Sequence, residues 1–442
     1  GTVGINPGVL GFAALVTLAT GTVFGIAPAW KASRTRLQDT LTTRGAADAR
    51  LRGHHSLVVG QLALCVVLLV SAGLLTRSLI ALAAIRPGFD TENLVTMQFR
   101  LPVSTYDTET KIAEMFTRTI AEIRGVPGVR NAALVRATPL NGNGDRLPYE
   151  VEGVGVAERE QLPQANVNIV SDGYFETMRI PRLSGRDFSV DDRLQSARVV
   201  IVNDRLAKKV APEGSPIGKR VRVMDGDDPV WATIVGVVGT AKHFRLSEAP
   251  LDQIYVHYQQ KPLIFTEVVV RAAGDPMTVA NAARNAIWRV DRDQPVWRIR
   301  PVTQSIEAQL GSRRFTMRLL ASFAILAVVL ATIGVYGVMS YAVARRTQEM
   351  GVRMALGARA IQVVGMVLRQ GMRTIVIAIA LGLGAALAAT RLVESQLYGV
   401  EALDPVTFTT VPLVLALVAA LACYLPARRA SRVDPVVALR ND

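Results

Sequence analysis

Gly214-Ser215-Pro216-Ile217-Gly218-Lys219-Arg220 is the segment of this 442-residue chain that comes nearest to a nucleotide-binding motif. A phosphate loop needs four residues between its glycines and a Ser or Thr after the lysine to reach Mg²⁺. Here three residues separate the glycines and Arg220 follows the lysine, so the segment reads as a turn before a strand. The four histidines offer no ligand spacing: His54 and His55 are adjacent, and His243 and His257 are isolated. No local Ser/His/Asp, Cys/His or paired-carboxylate arrangement can be assembled. We therefore expect no catalytic residues, no metal ligands and no cofactor, and a chain that is not itself an enzyme.

One short segment does carry recognition chemistry. Between Ala344 and Thr374, Thr347 can cap a helix in which Glu349 occupies the favourable first turn, Glu349 and Arg353 are spaced i,i+4, and Gly357 can end it. Met350 and Met354 share a neighbouring face, and flexible methionines beside a charge pair suit docking into a groove on another protein. The alternative is a basic juxtamembrane loop that binds anionic membrane lipids.

The elements that hold this segment are apolar. Half of the residues are hydrophobic, and Gly1 to Trp30, Ser56 to Thr76, Leu319 to Ala344, Thr374 to Thr390 and Pro405 to Ala427 contain no charge. Each is close to the roughly 20 residues that cross ~30 Å of hydrocarbon, so five transmembrane helices are expected. The Thr374 run is the shortest, and Arg373 and Arg391 bracket it. Ala324, Ala327, Ala331 and Gly334 form a small-residue stripe for helix packing, as do Ala380, Gly384 and Ala388 in the following span.

A net charge of +14 would suit a nucleic-acid partner if it formed one face, but most of it lies in Lys31–His55, Val343–Arg373 and the residues after Ala427. Threading the spans in order puts all three segments on one side, which the positive-inside rule makes cytoplasmic. No nucleic acid is expected, and the segment from about Arg86 to Arg318 lies outside. Cys65 and Cys423 fall inside spans, so the outer segment has no disulfides and both read as small apolar core residues.

Asn6-Pro7 and Pro28-Ala29-Trp30-Lys31-Ala32-Ser33-Arg34 reappear 398 residues later as Asp404-Pro405 and Pro426-Ala427-Arg428-Arg429-Ala430-Ser431-Arg432. A shared exit sequence after an apolar span points to tandem duplication. On this reading residues 1–55 are the last transmembrane helix and cytoplasmic tail of a preceding copy, and the rest is a second copy. In the outer segment, Leu94–Phe99, Thr108–Ile123 and Val129–Val135 read as βαβ, and Glu267–Val270, Pro276–Val290 and Val296–Pro301 repeat the pattern. Two such halves predict a ferredoxin-like subdomain. A strand-rich insertion over about 146–260 includes Arg198–Val202, Arg220–Val223 and Trp231–Val238.

Several stretches resemble the MacB/FtsX-like permeases, in particular their tandem-duplicated bacterial branch. They are Ser171–Thr177 with Ile180-Pro181 and Gly185–Phe188, Val200–Asn203, Pro216–Arg220, Ile234–Gly239, Ala344–Ala358 and Pro426–Pro435. The resemblance covers almost the whole chain. It implies a four-span permease unit whose first two helices continue outward as a stalk carrying the outer domain; with the span of the preceding copy, the fold expected is a membrane protein with an all-α transmembrane bundle of five helices and an inserted α+β extracytoplasmic domain, made of a ferredoxin-like and a strand-rich subdomain. The implied boundaries are 56–85 for the first transmembrane helix of the second copy, 86–317 for a MacB-like core domain, and 318–442 for an FtsX-like permease domain with three helices. The implied function is the permease subunit of an ATP-driven export or mechanotransmission system in the bacterial inner membrane. Gln348, Glu349, Met350, Gly351, Arg353, Met354, Leu356 and Gly357 would form the helix that couples to a separate cytoplasmic ABC ATPase subunit. Further expected partners are the preceding permease copy, in a pseudo-dimer that follows from the 398-residue repeat, and a periplasmic adaptor. The alternative is a transmembrane signalling or scaffold protein that activates a cell-envelope enzyme.

Overall fold

The computed structural model describes residues 45–142, 144–154, 162–225, 229–345, 356, 359–393 and 397–430, and seven isolated positions before residue 23. The chain divides into two compact units. Leu75–Leu319 with Gln396–Glu401 form a sheet unit, and Gly1–Leu74, Leu320–Ser395 and Ala402–Asp442 form a helix unit. In chain order the elements are α1 (Gly45–Ala83), β1 (Leu94–Arg100), α2 (Glu109–Arg124), β2 (Val129–Val135), β3 (Asp145–Val151), β4 (Gln164–Val170) and α3 (Tyr174–Met178). Then come β5 (Arg182–Gly185), β6 (Val199–Asn203), α4 (Asp204–Val210), β7 (Arg220–Val223), β8 (Trp231–Val238), β9 (Asp252–His257) and β10 (Phe265–Ala272). The last are α5 (Pro276–Val290), β11 (Val296–Pro301), α6 (Val302–Arg345), α7 (Ala360–Val393) and α8 (Pro405–Ala430).

In the sheet unit, β1-α2-β2 and β10-α5-β11 pair antiparallel in the order β11-β1-β10-β2, the ferredoxin-like arrangement. Local chemistry sets both helices. The Thr108 side chain accepts from the Lys111 N–H at the start of α2, and Asp275 caps α5 ahead of Pro276. Ile112, Met115, Phe116, Ile120 and Ile123 recur at helical spacing on α2 and pack on Met97, Phe99, Val268 and Val270. The other sheet face, with Leu94, Ala133, Val135 and Val269, is covered by Tyr174, Phe175, Phe188 and Tyr255. With both faces covered, β1 is buried from Leu94 to Phe99, including the polar Thr96 and Gln98, whose side chains bond to the Arg300 carbonyl and to Glu267.

The insertion does not form a separate layer. Strands β4-β3-β7-β8-β6 continue the sheet, and β9 pairs with both β6 and β4, which closes six strands into a ring. Closure gives every strand of the ring a neighbour on both sides, while β5 pairs with β8 outside it. Tyr149, Val167, Val200, Val202, Val221, Ile234 and Ile254 share the ring's core with Leu206 and Val210 of α4. The expected pair of subdomains is thus one hydrogen-bonded sheet system, joined where β2 meets β4 at Val135↔Val170.

The helix unit contributes helices long and apolar enough to cross a membrane, four of them among the described residues: Ser56–Ala83, Val302–Ala344, Val364–Arg391 and Pro405–Arg429. The fifth expected span, in residues 1–30, lies outside the described residues apart from isolated positions. α7 is longer than the charge-free Thr374–Thr390 run, because Arg369 and Arg373 sit within the helix rather than beyond its end. Asp404 caps α8, accepting from the Thr407 N–H at 2.8 Å and its hydroxyl at 2.6 Å, so the repeated Asx-Pro pair is a helix start. Cys65 and Cys423 are both buried and free.

Candidate functional site

The residues singled out for docking lie between α6 and α7. Gln348, Glu349, Met350, Gly351, Arg353, Met354 and Gly357 lie outside the described residues, and Leu356 is exposed. The flank is defined: α7 opens with the Gln362 side chain accepting from the Arg359 N–H at 3.0 Å, a capping interaction that fixes where the helix begins.

The two small-residue stripes are placed differently. On α6, Ala324 and Ala331 are buried and Ala327 and Gly334 half-buried. A Cβ on Gly334 would lie 3.1 Å from Gln61 Oε1 and 3.7 Å from Val58 Cγ2, so this face meets α1. On α7, Ala380, Gly384 and Ala388 are exposed within this chain. The face that packs carries Gly371, Ile375, Ala378, Gly382 and Ala386. A Cβ on Gly382 would stand 2.7 Å from Val66 Cβ and 2.9 Å from the Ala63 carbonyl, and one on Gly371 2.7 Å from Cys423 Sγ. Two residues separate these faces, about 200° around a helix of 3.6 residues per turn. Alanine is so frequent in α7 that several registers look alike; the glycines 11 residues apart, close to three turns, carry the distinguishing signal.

The middle of the connection between α7 and α8, Gln396–Glu401, belongs to the sheet unit. The Tyr398 N–H donates to Ser78 Oγ on α1 at 2.8 Å, its ring joins the core around Leu82 and Tyr174, and Lys242 Nζ sits 5.8 Å from the ring centroid. Nothing in the sequence marks this contact, which draws residues 397–401 into the same unit as the 86–317 segment.

The motifs of the sheet unit build structure. Gly173 is left-handed (φ 72°) at the start of α3, and Arg124 pairs with Asp172 at 3.0 Å behind it. Tyr174 and Phe175 then enter an aromatic cluster in which Phe175 meets Tyr255 edge-on at 4.9 Å and Phe188 stacks on His257 at 5.2 Å. Gly185 pairs with Gly236, and each leaves no room for a Cβ: Val235 O lies 2.2 Å from the one position and Arg186 O 2.3 Å from the other. Arg186 holds Asp192 with two hydrogen bonds at 2.7 and 2.8 Å. Burial alone would raise the Asp192 carboxyl, but these bonds, the Ser189 N–H and the Arg186 charge hold it below its ordinary range. In the phosphate-loop look-alike, Lys219 Nζ donates to the Val210 carbonyl at 2.9 Å and Arg220, which opens β7, pairs with Glu152. Among the described residues no group of His, Cys, Asp or Glu could hold a metal ion.

The family model of the MacB-like periplasmic core domain matches residues 56–287, more than half of the chain, and that of the FtsX-like permease C-terminal region matches residues 321–435. The chain belongs to the MacB/FtsX-like family of ABC transporter permeases. Among curated relatives, a macrolide export ATP-binding/permease protein MacB of Marinobacter nauticus is 28% identical over 290 residues, covering 63% of this chain and 44% of the relative. The ABC transporter permease YknZ of Bacillus subtilis is 24% identical over 329 residues, covering 74% of this chain and 80% of the relative. The chain spans about half the length of the MacB relatives it matches. Among solved structures, the periplasmic region of MacB from Actinobacillus actinomycetemcomitans aligns over 51% of this chain and 98% of its own, with 15% identity and a TM-score of 0.34. The extracellular domain of YknZ from Gram-positive bacteria aligns over 46% of this chain with 17% identity and a TM-score of 0.30.

Proposed function

We propose that this MacB/FtsX-like permease couples a separate cytoplasmic ATPase to movement of its extracytoplasmic domain, and that this movement drives export. The observation that carries the reading is that α1 and α6 each run without a break from residues of one unit into the other. At about 1.5 Å per residue, the 44 residues of α6 measure roughly 66 Å, about twice the hydrocarbon thickness. A helix of that length can carry a push or rotation applied at its cytoplasmic end, where the docking segment follows Arg345. The names of the MacB relatives make a macrolide the first substrate class to test. The pairing with a preceding copy belongs to the same proposal, supported by the 398-residue repeat and by the exposed Ala380, Gly384 and Ala388 face. A periplasmic adaptor completes the export reading.

The test is ATPase binding to the purified full-length permease in detergent at two salt concentrations. Met350→Asp or Met354→Asp puts a charge into an apolar contact and should weaken binding about 5- to 150-fold, corresponding to ~1–3 kcal/mol. Arg353→Glu should weaken it less and more salt-dependently. Unchanged binding by both Met variants eliminates the coupling role. A segment that serves anionic lipids instead would show the opposite ranking, with Arg353→Glu the damaging change.

A further inference from the structure

The sheet unit holds a pocket of about 360 Å³ at the end of α1, walled by residues 140–142 and 244–247, by β11 and by the first turns of α6. Its charged lining residues are Arg245, Arg300 and Arg313, with no carboxylate among them. Arg245 is exposed and 3.8 Å from Glu248. Arg300 and Arg313 have no acidic partner among the described residues, and Arg313 Nη1 is buried without an acceptor. Buried donors are nearly always satisfied, and a guanidinium is the group for which an unmet bond is most costly. The buried carboxylate that the lining residue Asn141 reaches is already committed: Glu267 accepts from Gln98, from the Thr138 N–H at 2.9 Å and its hydroxyl, and from the Asn141 side chain at 2.7 Å.

The walls are built, not incidental. Leu140 is left-handed (φ 67°), a conformation rare for a side-chain-bearing residue, and its N–H donates to the His243 carbonyl at 2.6 Å. Gln309 on α6 ties the walls together. Its amide donates to the Leu140 carbonyl at 2.8 Å and the Phe244 carbonyl at 3.1 Å, and its oxygen accepts from the Leu246 N–H at 3.2 Å. Across the pocket, β11 bulges against β1, with Thr96 opposite Arg300 but Gln98 opposite Trp297, and Arg298 takes a positive φ of 51°. Bulges re-aim side chains at sites, and this one lies two residues from Arg300. Leu82, Leu140, Phe244 and Leu246 supply an apolar wall beside the cations.

We propose that this pocket binds the phosphate group of a small amphiphilic ligand, with Arg300 and Arg313 holding the phosphate oxygens and the leucines and Phe244 covering its carbon body. Planar guanidinium forks match phosphate geometry, and the volume suits a ligand of headgroup size. A phospholipid headgroup and a soluble phosphate share this chemistry, so the test separates them. Calorimetric titration of the full chain in uncharged detergent would compare dihexanoyl phosphatidylglycerol with inorganic phosphate. Preference for the lipid assigns the pocket to a headgroup, and equal or tighter binding of inorganic phosphate assigns it to a soluble ligand. In either case Arg300→Gln and Arg313→Met should each weaken binding about tenfold or more, while exposed Arg314→Gln should leave it unchanged. Arg313→Met should leave the melting temperature of the ligand-free chain no lower than the parent's, because the buried Arg313 Nη1 has no acceptor to lose. Failure of the parent chain to bind either probe, or parent-like affinity in both Arg300→Gln and Arg313→Met, overturns the proposal; the ATPase coupling reading does not depend on it.

Discussion

The two units differ in where their bulkiest side chains sit. In the sheet unit the fully buried positions go to Phe99, Phe116, Tyr149, Tyr174 and Tyr255. In the helix unit no aromatic ring is among the buried residues described: Ala324, Ala331, Ala378, Ala386, Ala419 and Cys423 are buried beside Leu62, Val66, Val70 and Ile375, while Phe323, Ile325, Leu326, Ile333, Leu381 and Leu417 are exposed. The sheet unit follows the rule for water, where burying area is the driving force and large apolar groups contribute most. The helix unit follows the rule for lipid, which solvates leucine as well as another helix does, so what remains to be gained is close backbone approach between small residues.

Truncating one phenylalanine in each unit is the strongest test of that contrast. Phe99 is 0% exposed and packs edge-on against Phe116 with centroids 5.8 Å apart, whereas Phe323 is 50% exposed. Phe99→Ala should cost about 3–5 kcal/mol and Phe323→Ala under about 1 kcal/mol in a bilayer-like environment. Urea unfolding in nanodiscs, followed by the fluorescence of Trp231, Trp288 and Trp297, reads the first change; helix melting by circular dichroism reads the second. Equal losses would mean that Phe323 is buried against a partner rather than lipid.

A smaller effect sharpens the point inside the helix unit. Gly382→Ala should destabilise the bundle by about 1–3 kcal/mol, since its Cβ would press on Val66 and the Ala63 backbone. Gly384 has nothing within 4 Å of such a Cβ, so Gly384→Ala should stabilise by roughly 0.5–1 kcal/mol through helix propensity. A loss from Gly384→Ala in the full-length protein would instead locate a helix against the exposed stripe, the result expected if a preceding copy pairs there.

The same contrast explains what could be read from the sequence. In the ferredoxin-like half, expected and observed elements agree nearly residue for residue: Val129–Val135, Pro276–Val290 and Val296–Pro301 coincide. Their apolar residues alternate or recur at helical spacing, and Pro, Asp and Thr mark the ends. Strands β3, β4 and β9 were not legible. β4 buries Asn166 and Asn168, and β9 buries Asp252 and Gln253, so a polar run that reads as loop sits inside the protein. Tertiary bonds make this possible: Asp252 accepts from Tyr149, Arg205 and Lys209, and Gln253 exchanges bonds with Ala241. These partners are distant in sequence, and without them the ring that closes through β9 cannot be foreseen. On α7 the difficulty is reversed, because nearly every register is apolar and only steric contact distinguishes the packed face.

Acid should separate the units in the mildest way. His257 is fully buried in the aromatic cluster, with Nδ1 at 2.8 Å from the Asp192 carbonyl, Phe188 stacked on one side and Tyr258 edge-on at 4.9 Å. Burial lowers its pKa from the ordinary value of 6.5; the Asp192 carbonyl and the charges of Asp172 and Asp192 oppose that, and Arg186 reinforces it. Above about pH 6.5 the imidazole is neutral in both the folded and the unfolded chain and makes no difference to stability. As pH falls through that value the unfolded chain takes up a proton that the folded chain refuses, so stability declines until the folded-state pKa is reached and then levels off. The Asp192 carboxyl, whose pKa is lowered, acts in a separate and more acidic window, below the ordinary carboxylate range of about 4. The melting temperature of the sheet unit, followed by tryptophan fluorescence, should therefore fall between pH 7.5 and 5, while the helix signal stays level. His257→Phe keeps the ring stacking and cannot be protonated, so it should flatten the curve above pH 5. If the His257→Phe chain keeps the parent's slope, the acid sensitivity belongs to another group and the buried neutral imidazole is not its source.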